Sequence, residues 1–183
     1  MPSPVGHVLG GLAAAFSIDI VSRQRSSDRL ILACGALAAV PDIDLLVRRY
    51  HRTATHSVTA VAAVFIITAV VTGRVTRWRT ATLCALAYGS HLLLDWLGAD
   101  HHLPLGIEAL WPFSGRWFIS GLNVFRETSR LHLFTWATTL QNARTVLQEI
   151  VVLLPLAAAL WLVREKSAPR LAPEVAGSHH AAQ

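Results

Sequence analysis

Apolar residues along the chain fall into five runs, at residues 5–21, 30–40, 58–73, 80–97 and 146–163. Each reads as a helix, and together they predict an all-α membrane bundle of about five helices. A helix needs about 20 residues to cross roughly 30 Å of hydrocarbon. The third, fourth and fifth runs come close to that length. The first two are shorter or carry polar tips, and read as half-buried helices packed against the others, so three to five spans are expected. The second run stops at Pro41, where the acidic turn Asp42-Ile43-Asp44 follows. A long polar and aromatic segment, residues 98–145, separates the last two helices. Its WPFSGRWF stretch fits the headgroup level that Trp favours. Residues 1–165 read as one membrane-embedded domain, and the Ala-, Pro- and Ser-rich residues 166–183 as a disordered tail.

Threading five helices up and down sorts the polar residues by face. If the N-terminus lies on side A, Arg23, Arg25 and Arg29 turn on side B, as do Arg74, Arg77 and Arg79. His7, Asp42, Asp44, His51, His56, His91, Asp95, His101 and His102 then all fall on side A, although four separate segments supply them. Random placement would divide them between the faces.

Composition supports the bilayer. Hydrophobic residues make up 53% and charged residues 15%, against roughly 25% charged in a soluble domain, and the mean hydropathy is +0.45. That leaves too little polar material to cover a water-exposed surface. The net charge is +5, and every basic residue except Lys166 is Arg. No basic run is interleaved with aromatics, so membrane lipids are the expected partners and nucleic acid is not. Cys34 and Cys84 lie in apolar runs without CxxC spacing and read as core residues. The N-terminus lacks the basic start of a signal peptide, so the first helices are expected to direct insertion.

His91 and Asp95 are four apart, on one side of a helix. They form a workable imidazole–carboxylate pair for zinc or manganese. Ionisable groups in membrane helices are costly and usually functional. Taken singly, these residues have blander readings: a hydrogen-bonded core or interface histidine for His102 and His132, and a helix stop for the PDID block. Their gathering on one face favours a metal site. His179 and His180 read as tail residues.

The early His7 followed by glycines, the PDID block at 41–44, HRTATHS at 51–57, SHLLLDWL at 90–97 and LWPFS at 110–114 resemble the YdjM-type family of membrane-bound, metal-dependent hydrolases. The order of ligands is in turn similar to zinc-dependent phospholipase C and its single-strand nuclease relatives. Asp42 to His56 spans fourteen residues, His91 to Asp95 four, and His91 to His101 ten. The resemblance implies His7, Asp42, His56, His91, Asp95 and His101 as metal ligands. Asp42, His56, His91 and Asp95 would hold one ion, and His7 with a bridging Asp95 a second. The phospholipase pattern closes with HxxxE, which is missing here, so one or two ions are expected in place of three.

The implied chemistry is hydrolysis by metal-activated water, with zinc as the first choice of metal and manganese as the second. Asp44 and His51 are the catalytic candidates, for base and proton-transfer roles. Arg48, Arg49 and Arg52 are candidates for holding a phosphate, with solvated loop charge as their blander reading. A site beside an interfacial loop suggests a lipid-linked phosphoester substrate. A non-catalytic, metal-stabilised membrane scaffold or regulatory protein is the alternative, and a transporter ranks last because the ligands lie at helix ends, away from the midplane. The short, arginine-dense turns of side B lean towards the cytoplasm. The candidate site would then face outward from the cytoplasmic membrane.

Overall fold

The computed structural model describes residues 1–129 and 135–167, with the side chains of 48–50 outside that set. His132, His179, His180 and the expected disordered tail beyond 167 lie outside the described residues. The fold is an all-helical bundle: α1 Pro4–Ser22, α2 Asp28–Ala38, α3 Val58–Val71, α4 Arg77–Leu97 and α5 Trp136–Ser167. Two 3-10 segments, Val40–Tyr50 and Ala54–His56, connect α2 to α3.

Serine caps start three of the helices. Ser3 accepts from Gly6 N ahead of α1, with Pro4 in the first turn, Ser27 accepts from Leu30 N, and Ser57 accepts from Ala60 N. Each occupies one backbone donor that a helix start leaves open. Arg23 ends α1 in a left-handed conformation, and its N–H returns to the carbonyls of Asp19 and Ile20.

Helix α1 is the centre of the bundle. It packs against α2, α4 and α5, while α3 packs on α4. Its small residues permit the approach. A Cβ on Gly11 would lie 2.5 Å from Ala38 Cβ, and one on Gly6 would lie 2.8 Å from the Glu149 carboxyl. Ala15, Phe16, Ile31, Cys34, Leu83 and Ala87 fill the main core beside this contact.

The threading predicted from the polar pattern holds. At one end, Asp19 of α1 accepts from Arg79 Nη2 of α4 at 2.5 Å, from Arg164 Nε of α5 at 2.7 Å, and from Ser26 N and Oγ at 2.9 and 2.7 Å. At the other end lie His7, the acidic turn and the end of α4.

Span lengths differ from the expectation. By length and composition, the helices able to cross a membrane are Pro4–Ser22, Asp28–Val47 and Trp136–Ser167. The second run reaches that length because helical backbone continues through the acidic turn instead of stopping at Pro41. The very apolar α3 has only 14 residues, about 21 Å. Helix α4 has 21 residues but too many polar positions. Helix α5 begins ten residues before its apolar run, so the intervening segment is shorter than expected. Its polar first turns carry no hydrophobic signal and are held from outside. Thr145 Oγ1 donates to Glu127 O, and Asn142 exchanges hydrogen bonds with the Ser129 backbone.

Candidate metal centre

Four segments deliver the centre. His7 lies one turn into α1, tied by its backbone N–H to Ser3 O at 3.1 Å. Asp42 and Asp44 sit on the first 3-10 segment, His51 and His56 on the connection to α3, and His91 and Asp95 in the last turns of α4. His7, His56 and His91 are fully buried, and Asp95 is 1% exposed.

The tautomers follow from the partners. His91 Nδ1 is 2.8 Å from the Ala38 carbonyl, which only accepts, so this nitrogen carries the proton. His56 Nδ1 is 3.0 Å from Thr55 Oγ1 and 3.2 Å from Asp44 Oδ2. Thr55 spends its hydrogen on Asp44, so both neighbours accept from His56. In its neutral form each imidazole is left with a bare Nε2, and the two Nε2 atoms are 3.0 Å apart.

Asp95 adds negative charge at the same point. Its Oδ2 is 3.1 Å from His91 Nε2 and 3.4 Å from His56 Nε2, and its Oδ1 is 3.5 Å from His7 Nε2. Among the described residues, neither oxygen has a hydrogen-bond partner, and neither nitrogen of His7 has one. Asp42 runs parallel to it, with Oδ2 3.9 Å from His7 Nε2 and Oδ1 3.9 Å from His56 Nε2. Buried polar groups without partners are costly. A divalent cation between them would satisfy both the converging lone pairs and the carboxylates. The donor set of imidazole and carboxylate suits a borderline divalent ion such as zinc. His7–Asp42–His91, Asp42–His51–His56 and His56–His91–Asp95 each bring one ligand atom per residue within 4.8 Å.

A family model described as YdjM inner membrane protein matches residues 1–168. The chain belongs to this family. No curated protein and no solved structure matches it. This YdjM chain is accordingly an inner membrane protein with candidate metal-binding groups at one end of its bundle.

The other residues singled out in the YdjM sequence take different positions. Asp44 accepts from His51 Nδ1 at 2.5 Å, from Arg52 N at 3.2 Å and from Thr55 and His56. Its oxygens hold two imidazoles in place. Arg52 pairs with Asp100 and reaches His102 O at 3.5 Å, with its guanidinium 5.9 Å from the Trp117 ring. The group expected to grip a substrate phosphate is therefore engaged with the loop. The side chains of Arg48 and Arg49 lie outside the described residues.

His101 sits on the exposed rim, where its Nδ1 meets Glu127 at 2.7 Å; His102 Nδ1 meets the other oxygen of Glu127 at 2.5 Å. Among the described residues, none of the close ligand groups includes His101, whereas Asp100, His102 and Glu127 form one. Partial burial of Glu127 works against its charge, but hydrogen bonds from the two histidines outweigh it and hold the carboxyl below its ordinary value.

Sequence reasoning missed Glu127 because no fixed spacing connects it to its partners. It also missed Glu149, a fully buried carboxylate on α5 that accepts from Ser3 N at 2.7 Å and from Ser3 Oγ. Glu149 docks the start of α1, and hence His7, against α5. The charge of Glu149 within an apolar helix was the only available signal.

Proposed function

We propose that this YdjM chain is a membrane-bound, metal-dependent hydrolase acting on phosphoesters, with lipid-linked phosphoesters as the substrate class. The observation that carries the reading is the convergence of the bare Nε2 atoms of His56 and His91 on the unpartnered carboxylate of Asp95. His56, His91, Asp95 and Asp42 would hold one ion. His7, with the other oxygens of Asp95 and Asp42, would hold a second. Zinc fits this donor set best, and manganese next. A divalent ion bound there supplies Lewis acidity and lowers the pKa of water.

The remaining roles belong to side chains. Asp44 fixes the ring orientation and tautomer of His56, and holds His51 in the same way, as a carboxylate behind an imidazole does. His51 has a ligand atom within 4.8 Å of Asp42 and His56 and is the group assigned to move a proton. Asp42, Asp44 and His51 keep 8–10% of their side chains exposed, while His7, His56 and His91 have none. Water and substrate would enter over these three residues. Trp111 and Trp117, on the neighbouring loop, suit the headgroup level where a lipid-linked ester presents its phosphate. The arginine-dense turns of side B favour the cytoplasm for that side, and the centre would then face outward.

The test is turnover. Purified chain loaded with zinc is expected to hydrolyse members of a panel of phospholipids, lipid phosphates and soluble phosphodiesters, with His51→Ala slowed roughly 10²–10⁴-fold. A zinc-loaded chain that turns over nothing on that panel ends the hydrolase reading.

Full burial of His7, His56, His91 and Asp95 favours a second reading, a structural metal in a scaffold. A closed ligand shell leaves no place for water. Zinc that raises the melting temperature without any turnover would select it.

A further inference from the structure

A second feature on the same membrane face lies apart from the metal centre. Between the loop and α5 run two adjoining cavities of about 540 and 560 Å³, and Arg126 and Arg144 line both. Arg144, Leu147, Gln148 and Val151 share one face of α5 by their spacing. Leu147 and Val151 are 61% and 64% exposed. The groove thus changes from cationic to apolar along the helix.

Its depth in the bilayer follows from helix length. Helix α5 has 32 residues, about 48 Å, against a hydrocarbon core of roughly 30 Å. Beyond Glu149 the helix carries no charged residue up to Val163, and this stretch begins at Ile150, about 9 Å beyond Arg144. That puts Arg144 at headgroup level and Val151 in the hydrocarbon.

The loop wall is fixed to the helix. Gln148 accepts from Arg126 N at 3.0 Å and donates to Val124 O at 3.0 Å. Among the described residues, neither guanidinium forms an ion pair. Glu127 lines the same wall, but its two oxygens are turned to His101 and His102. Among the described residues, the two positive charges therefore stand without a counter-ion.

We propose that this groove holds an anionic phospholipid of the bilayer, with its phosphate between Arg126 and Arg144 and one acyl chain along Leu147 and Val151. Basic pockets at the membrane surface recognise anionic headgroups in this way, and arginine forks match phosphate oxygens. The inference is independent of the hydrolase reading, because no ligand of the metal centre takes part.

The test is native mass spectrometry of detergent-purified full-length chain, titrated separately with phosphatidylglycerol and phosphatidylcholine. Wild type is expected to retain one phosphatidylglycerol in preference to phosphatidylcholine. The double variant Arg126→Gln/Arg144→Gln should lose that preference by roughly thirtyfold, two basic residues at the usual contribution of each. Leu147→Gln, which keeps both charges, should weaken the binding of both lipids. Bound metal and melting temperature should be unchanged in all variants. Equal retention of the two lipids by wild type, or an unaltered preference in the double variant, overturns the proposal. Displacement of the lipid by millimolar inorganic phosphate would also overturn it, since a free-anion site would then be indicated.

Discussion

Two imidazoles that each commit Nδ1 to an oxygen have only Nε2 left for a cation, and His56 and His91 are held in that condition. For His56 the holding oxygens are those of Thr55 and Asp44. Asp44→Asn should therefore weaken metal binding by about 10–100-fold without removing a ligand, as read by competition with a chromophoric chelator. Unchanged affinity would mean that Asp44 does not orient the centre. The His91–Asp95 pair was legible in the sequence because helical spacing alone puts the two on one face. The convergence of His7, Asp42 and His56 was legible only through the threading. The pairing of His101 with Glu127 was not legible, since the loop that joins them has no periodicity to read.

At the scale of helices, close approach and buried charge set the geometry. Gly11→Ala would force a Cβ into Ala38 on α2, and overpacking of that kind costs about 1–3 kcal/mol. Because α1 carries His7, the variant should show both a lower melting temperature in detergent and weaker metal retention. Asp19→Leu removes the acceptor shared by Arg79 and Arg164 and should cost about 3–5 kcal/mol. Arg164→Leu should cost less, because Asp19 keeps Arg79. Equal melting temperatures for these two variants would contradict Asp19 as the hub. The apolar runs located all five helices correctly, but their ends were hidden wherever polar residues continued a helix. The backbone carries on through the acidic turn after α2, and α5 starts in polar turns held by the loop.

For the whole molecule, the up-and-down threading collects the metal-ligating residues at one end and the Asp19–Arg79–Arg164 cluster at the other. The orientation in the membrane is proposed from arginine density. A single cysteine at Ser114, in a background with Cys34 and Cys84 replaced, should react with an impermeant maleimide added outside intact cells, whereas one at Ser22 should not. The reverse pattern would turn the centre to the cytoplasm. Family membership was legible from motifs covering the first two-thirds of the chain. The groove beside α5 was not, because loop and helix residues far apart in sequence form it together.

The central claim is that His56, His91 and Asp95 hold a divalent ion. Elemental analysis of detergent-purified wild type beside His91→Ala and Asp95→Ala tests it most directly. One or two equivalents of zinc or manganese in wild type, lost from both variants while both stay folded, is the predicted result. A metal-free wild type, even after reconstitution with zinc and manganese, would contradict it.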